Sequence, residues 1–250
     1  MRGCIVRPAG TGPGGGVSVH PYPSRRVCEQ GVRTCLHRGK WGNADVWRVE
    51  MQGLWVVKDF SARAALVRWT LGVCLVCREL CILRKLDGLK SIPDGASRVD
   101  RFALCERYIE GRPLRALGAG EAPVSFFERL EAAVQAMHAR GIVHLDLRNG
   151  GNILMDASET PWLLDFQSAI SVRWLPGPLR RRLEWIDLSG IYKHWARVAP
   201  DTQGEARERV LIWLMRHRKW WRFRGYRLSL GQRRLKTHER LLLAKYEKTV

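Results

Sequence analysis

Three polar residues, Asp146, Asn152 and Asp165, stand among short apolar runs close together in the chain, and they constrain its fold more than any other feature. The first segment reads His144-Leu145-Asp146-Leu147-Arg148-Asn149-Gly150-Gly151-Asn152-Ile153-Leu154, and the second Leu163-Leu164-Asp165-Phe166. The apolar runs around Ile153–Leu154 and Trp162–Phe166 predict a short hairpin. A hairpin brings the chain back to its start, so the loops on either side of it lie together. A lone Asp or Asn in a loop usually does no more than cap a turn. A carboxylate, an amide and a second carboxylate converging on one point can also hold a hard cation and orient a hydroxyl group.

The upstream half adds a second pair of charged residues. Val56-Val57-Lys58 reads as the end of a strand. From Ala62 to Leu86, the residues Leu66, Trp69, Val73, Val76, Leu80 and Leu83 recur at spacings of three and four, which predicts an amphipathic helix. Glu79 is the only acidic residue between Asp59 and Asp87. Burying a carboxylate unpaired is costly, so Glu79 either points to water or finds a cation.

Around these residues the chain divides into an α+β pattern. Residues 1–33, rich in Gly and Pro, predict a flexible extension. Residues 34–109 predict antiparallel strands with one helix, and residues 110–250 a mainly helical second lobe. The hinge is expected near Arg107 to Gly111. Ser125 followed by Glu128 predicts a capping-box helix start. A further helical region is expected from Glu184 onward.

Taken in order, these residues resemble the protein-kinase superfamily, whose catalytic loop reads HxDxxxxN and is followed by DFG. The resemblance spans about Gly39 to Tyr192 and implies a bilobal protein-kinase-like fold with an antiparallel-sheet N-lobe and a truncated helical C-lobe. It implies ATP and Mg²⁺ as partners, Asp146 as the catalytic carboxylate, and Asn152 and Asp165 as metal ligands. Arg148 occupies the place of a lysine that touches the transferred phosphate. Lys58 would contact the α- and β-phosphates and be held by Glu79. The segment Gly39-Lys40-Trp41-Gly42-Asn43-Ala44-Asp45-Val46 stands where a glycine-rich phosphate loop would lie. It keeps the first glycine and the valine, with Gly42 as partial compensation for the others. The Arg107 carbonyl and the Ile109 N–H would face adenine.

Four departures narrow the resemblance. The spacing from Asp146 to Asn152 is one residue long, which predicts a bulge relieved by Gly150 and Gly151. Gln167 replaces the glycine of DFG and should stiffen that loop. Leu145 replaces an arginine that senses an activating phosphate in many regulated kinases. The segment from Asp165 to Asp187 is short and lacks Ala-Pro-Glu, so the platform for a peptide looks truncated. Asp187 is expected at a helix start, either bracing the catalytic loop or capping the helix. With these omissions the chain looks like compact bacterial kinases. The expectation is a lipopolysaccharide-core sugar kinase, with a RIO-like Ser/Thr protein kinase as the alternative and a non-catalytic nucleotide-binding scaffold as the third reading.

Charge and cysteine content bear on partners. The formal net charge is +19, which favours an anionic partner. From Asp201 to Val250 there are 14 Lys and Arg against 5 Asp and Glu, with Trp213, Trp220, Trp221 and Phe223 interleaved. This tail suits an anionic membrane surface, less well an RNA backbone, or it packs on the second lobe. Seven cysteines, an odd number at uneven spacing, and no recognisable secretory signal suggest a cytoplasmic protein, peripheral on the inner membrane face. Cys74, Cys77 and Cys81 share the spacing of one helix face and are expected to pack in the interior rather than bind zinc.

Overall fold

Alternating apolar residues between positions 32 and 59 form three consecutive antiparallel strands: β1 (Val32–His37), β2 (Asp45–Met51) and β3 (Gly53–Asp59). The computed structural model describes residues 23–51 and 53–216, together with Arg240 and Ala244. Gly53 opens β3 at a φ of +116°, a conformation that L side chains rarely adopt. After the helical segment described below come β4 (Ser97–Arg98) and β5 (Ala103–Arg107), which complete a five-stranded sheet in the order β1-β2-β3-β5-β4.

Order in the chain begins upstream of the expected boundary at 34. Helix α1 (Arg25–Gln30) precedes β1, and the side chain of Ser24 caps it by accepting from the Val27 N–H. Arg25 anchors the helix to the sheet, donating to Asp59 at 2.5 Å and to Asp100 at 2.7 Å. Cys28 is buried with Val49, Trp55 and Val57 beneath the sheet.

The expected helix from Ala62 to Leu86 is broken. It consists of α2 (Ala65–Val67), a π-turn over Arg68–Gly72, and α3 (Val73–Leu86). A π-turn inserts an extra residue and rotates the upstream apolar positions out of phase. Leu66 is therefore 77% exposed and Trp69 about half exposed, whereas Val76, Leu80 and Leu83 are buried. Cys74, Cys77 and Cys81 lie on the exposed face of α3, contrary to the expected internal packing. The six cysteines among the described residues are all free thiols. Ile82, Leu83 and Leu86 join the core of the second lobe, so α3 ties the two lobes together.

That second core is built on α4 (Val124–Ala139) and α5 (Gly177–Val198), with Phe127 stacked on Trp195. Helix α4 starts one residue before Ser125, with Pro123 at the cap and no side-chain cap bond, so the expected capping box does not form. Helix α5 begins at Gly177, well before Glu184, where a Pro-Gly-Pro sequence supplies the start. Short strands fill the region between them. They are β6 (Arg112–Pro113), β7 (Ile142–Val143), β8 (Ile153–Met155), β9 (Pro161–Leu163) and β10 (Ile170–Ser171). Strands β8 and β9 form the expected hairpin. Helix α6 (Glu205–Arg216) packs on α5, with Trp213 edge-on to Trp185. Residues 217–239, which carry most of the basic aromatic tail, lie outside the described residues. Among the described residues, no helix is long and apolar enough to cross a membrane.

Candidate active site

Strand β3 ends at the floor of a cleft of about 630 Å³ between the lobes. Lys58, Asp146, Asn152 and Asp165 all line it, so the residues singled out in two distant parts of the chain converge. Lys58 sits opposite Leu104 of β5, buried, and donates to the carboxylate of Glu79 on α3. Glu79 lies on the same helix face as Val76, Leu80 and Leu83 and is only 3% exposed. Of the two outcomes open to that carboxylate, it takes the cation. Asp165 lies 3.4 Å from the same ammonium, and Glu106 lies 3.7 Å from it.

Three carboxylates around one ammonium set the electrostatics. Burial acts to lower the pKa of Lys58, but Glu79, Glu106 and Asp165 outweigh it and hold the amine charged. Burial pushes the Glu79 carboxyl up to about 7, with Lys58 acting against it. Burial also lifts Glu106, again against Lys58. Asp165, whose side chain is 46% exposed to the cleft, is held below the usual carboxylate range: its partial burial is outweighed by Lys58.

The segment around Asp146 is fixed from below by α5. Asp187 is fully buried in the middle of that helix, not at its start. Its Oδ2 accepts from the His144 N–H at 2.7 Å and faces His138 Nε2 at 3.0 Å, while its Oδ1 accepts from the Leu145 N–H at 2.7 Å. The bracing alternative is therefore the one observed. Leu145 adopts a φ of +66° under this restraint. Gly190 lets the loop rest on the helix, since a Cβ there would stand 2.8 Å from the Arg148 backbone nitrogen. The His144 ring reaches the Leu164 carbonyl at 2.9 Å and packs on Phe166, which joins the two polar loops.

At the cleft surface, Asn152 Nδ2 donates to the Asp146 carboxylate at 2.9 Å and to its carbonyl at 3.1 Å. Burial raises the Asp146 carboxyl above its ordinary value, with the Asn152 hydrogen bond acting in opposition. Gly150 and Gly151 do not relieve a strained bulge, as neither has a positive φ. They permit close packing instead. A Cβ on Gly150 would lie 2.8 Å from the His194 ring, and one on Gly151 would lie 2.9 Å from the Arg115 guanidinium. The loop is also tied to the turn before α4, where the Arg115 N–H donates to the Gly150 carbonyl.

Other expected positions fall elsewhere. Arg148 donates to Ser189 on α5 at 3.1 Å and is not among the residues lining the cleft. Arg115 lines the cleft at that end and is exposed; sequence reasoning missed it because an arginine outside any motif carries no signal. Gly39 and Gly42 also do not line the cleft, whereas Asn43, Ala44 and Val46 do. The Gly39 N–H donates to Asp45 at 2.8 Å and its carbonyl accepts from Arg63, so both backbone groups are committed to the turn. Gly42 packs against Leu71. Trp41 stands at the tip of this turn, 94% exposed with a φ of +56°. Arg107 and Ile109 line the cleft as expected, and the Tyr108 N–H between them donates to the Leu54 carbonyl. Gln167 sits in a 3₁₀ turn (Phe166–Ser168) that needs no glycine, and its carbonyl accepts from Arg78 of α3.

Two solved kinase structures share this backbone arrangement. The Rio2 kinase from Chaetomium thermophilum matches with a TM-score of 0.52 at 16% identity, covering 77% of this chain and 74% of that one. Its complex with ADP, Mg²⁺ and phosphoaspartate matches with a TM-score of 0.51 at 16% identity, covering 77% and 73%. The fold is protein-kinase-like. No protein-family model matches the chain, and no curated protein matches it. Among the described residues, no group of three His, Cys, Asp or Glu side chains could hold a metal ion on its own. Asp165 and Asn152 are oxygen donors of the kind Mg²⁺ takes. Mg²⁺ commonly binds through one or two protein ligands and completes its shell with water and phosphate oxygens, so the donor set fits it.

Proposed function

We propose that the chain is an ATP- and Mg²⁺-dependent phosphotransferase that moves the γ-phosphate to a hydroxyl acceptor. The observation carrying this reading is that Lys58, held by Glu79, shares one cleft with Asp146, Asn152 and Asp165. Asp146, raised by burial, is suited to take the proton of an attacking hydroxyl, and Asn152 holds its carboxylate in place. Asp165, lowered by Lys58, stays ionised and, with Asn152, would hold Mg²⁺. Mg²⁺ bound there neutralises phosphate charge. Lys58, kept charged and fixed by Glu79, provides a cation for the non-transferred phosphates. Arg115 takes the part first expected of Arg148, a cation at the phosphate and acceptor end of the cleft.

For the acceptor, the likeness to Rio2 kinases favours a protein hydroxyl. The lipid-linked sugar reading rests on the tail beyond residue 216 and has no support from the described residues. The test is incubation of the full chain with Mg²⁺ and γ-labelled ATP in a lysate separated afterwards into protein, lipid and RNA fractions. Label in protein supports this acceptor, and label in lipid selects the sugar reading. Nucleotide binding with no transfer into any fraction would replace the enzyme with the scaffold.

A further inference from the structure

Val46, Val56, Leu154, Arg107 and Ile109 line one part of the cleft. Apolar walls of this kind grip any flat heterocycle and cannot tell one purine from another. An acidic side chain lies beside them. Glu106, the penultimate residue of β5, pairs with Val56 and is 3% exposed. Its Oε1 forms an ion pair with Lys58 Nζ at 3.7 Å, while Glu79 accepts directly from that amine. Its Oε2 is buried with no hydrogen-bond partner. Interiors leave few carboxylate oxygens in that state, and those that remain call for a functional explanation.

We propose that Glu106 is a specificity-determining residue that accepts an N–H from the exocyclic amino group of a 6-aminopurine. This rests on the nucleotide-dependent reading above and adds the choice of base to it. With Glu106 ionised against the Lys58 ammonium, an oxo group in the same place would set two acceptors against each other in a buried site, so the carboxylate both attracts the amino purine and rejects the oxo purine. The apolar walls do not supply that discrimination.

The test measures binding of ATP, inosine triphosphate and purine riboside triphosphate to the full chain with Mg²⁺ by calorimetry. These three carry an amino group, an oxo group and a hydrogen at purine position 6. The wild type is expected to prefer ATP by about tenfold or more over each of the other two, roughly 1.4 kcal/mol at the lower bound. Glu106→Gln, whose amide can turn either its oxygen or its NH₂ to the base, should bring ATP and inosine triphosphate to within about twofold. Glu106→Leu should bring all three together, and thermal unfolding checks that both variants fold. Equal binding of the three nucleotides by the wild type, which needs no variant, would overturn base selection and leave the nucleotide reading standing. An unchanged preference in Glu106→Gln would do the same. Binding of none of them would overturn the nucleotide reading and base selection with it.

Discussion

Asp187 gives the sharpest test of how this site is held, because its carboxylate is fully buried and accepts from two backbone N–H groups while facing His138. Asp187→Ala removes all three contacts and leaves the donors without solvent. A hydrogen bond to a charged group contributes about 1.5–3 kcal/mol, so three sum to at least about 4.5 kcal/mol if independent. They share one carboxylate and the loop can relax, so the expected loss is nearer 4 kcal/mol. Asp187→Asn keeps one acceptor oxygen and the side-chain shape, and should lose about 2 kcal/mol. Urea unfolding followed by tryptophan fluorescence reads both values. Against a typical total of about 5–15 kcal/mol, the alanine variant is marginal and the asparagine variant is the one to assay. Its nucleotide affinity should change little, since Lys58 and the Arg107–Ile109 segment are untouched, while kcat should fall because Asp146 follows the loop that Asp187 braces. A loss below about 1 kcal/mol in Asp187→Ala, or a changed affinity with intact kcat in Asp187→Asn, would refute the bracing role.

Further outcomes follow from the same geometry. Asp146→Asn should retain nucleotide binding and lose roughly a hundredfold or more in phosphoryl transfer, the scale of acid–base assistance; transfer at the wild-type rate would remove Asp146 from the reaction. Glu79 is lifted by burial from its ordinary value of 4.5 to about 7, so it takes up a proton on folding within that window. Its contribution to stability is fullest at low pH and declines as pH rises toward 7. The stability of the wild type relative to Glu79→Gln should therefore fall between pH 5 and pH 8, and a difference that stays flat across that range would contradict the assignment. Arg25→Ala leaves the buried Asp59 carboxylate without its cation and held by Ser61, and should cost about 2 kcal/mol. That corresponds to a drop of roughly 4–8 °C in Tm for a domain of this size, and an unchanged Tm would show that α1 is not held by this pair.

The chain itself determined the residues of the site and the order of its elements. Asp146, Asn152 and Asp165 are legible because a hairpin of few residues leaves the adjoining loops no choice but to meet. Glu79 is legible because a carboxylate on an apolar helix face either reaches water or finds a cation, and only packing decided for the cation. The same reasoning applies to Glu106, an acidic residue closing the apolar run Ala103–Cys105, and that signal was present in the sequence but not used.

What the sequence could not decide are contacts between segments far apart in the chain. The π-turn at Arg68–Gly72 rotated Leu66 and Trp69 outward, since helical periodicity assumes an unbroken phase. Gly39 and Gly42 read as phosphate-loop glycines, yet Asp45, Arg63 and Leu71 occupy them from neighbouring elements. Arg115 rather than Arg148 lines the cleft, because α5 offers Ser189 to Arg148, while the turn before α4 brings Arg115 over Gly151. Local patterns set which groups are available, and the packing of α5 beneath the loop set which of them face the cleft.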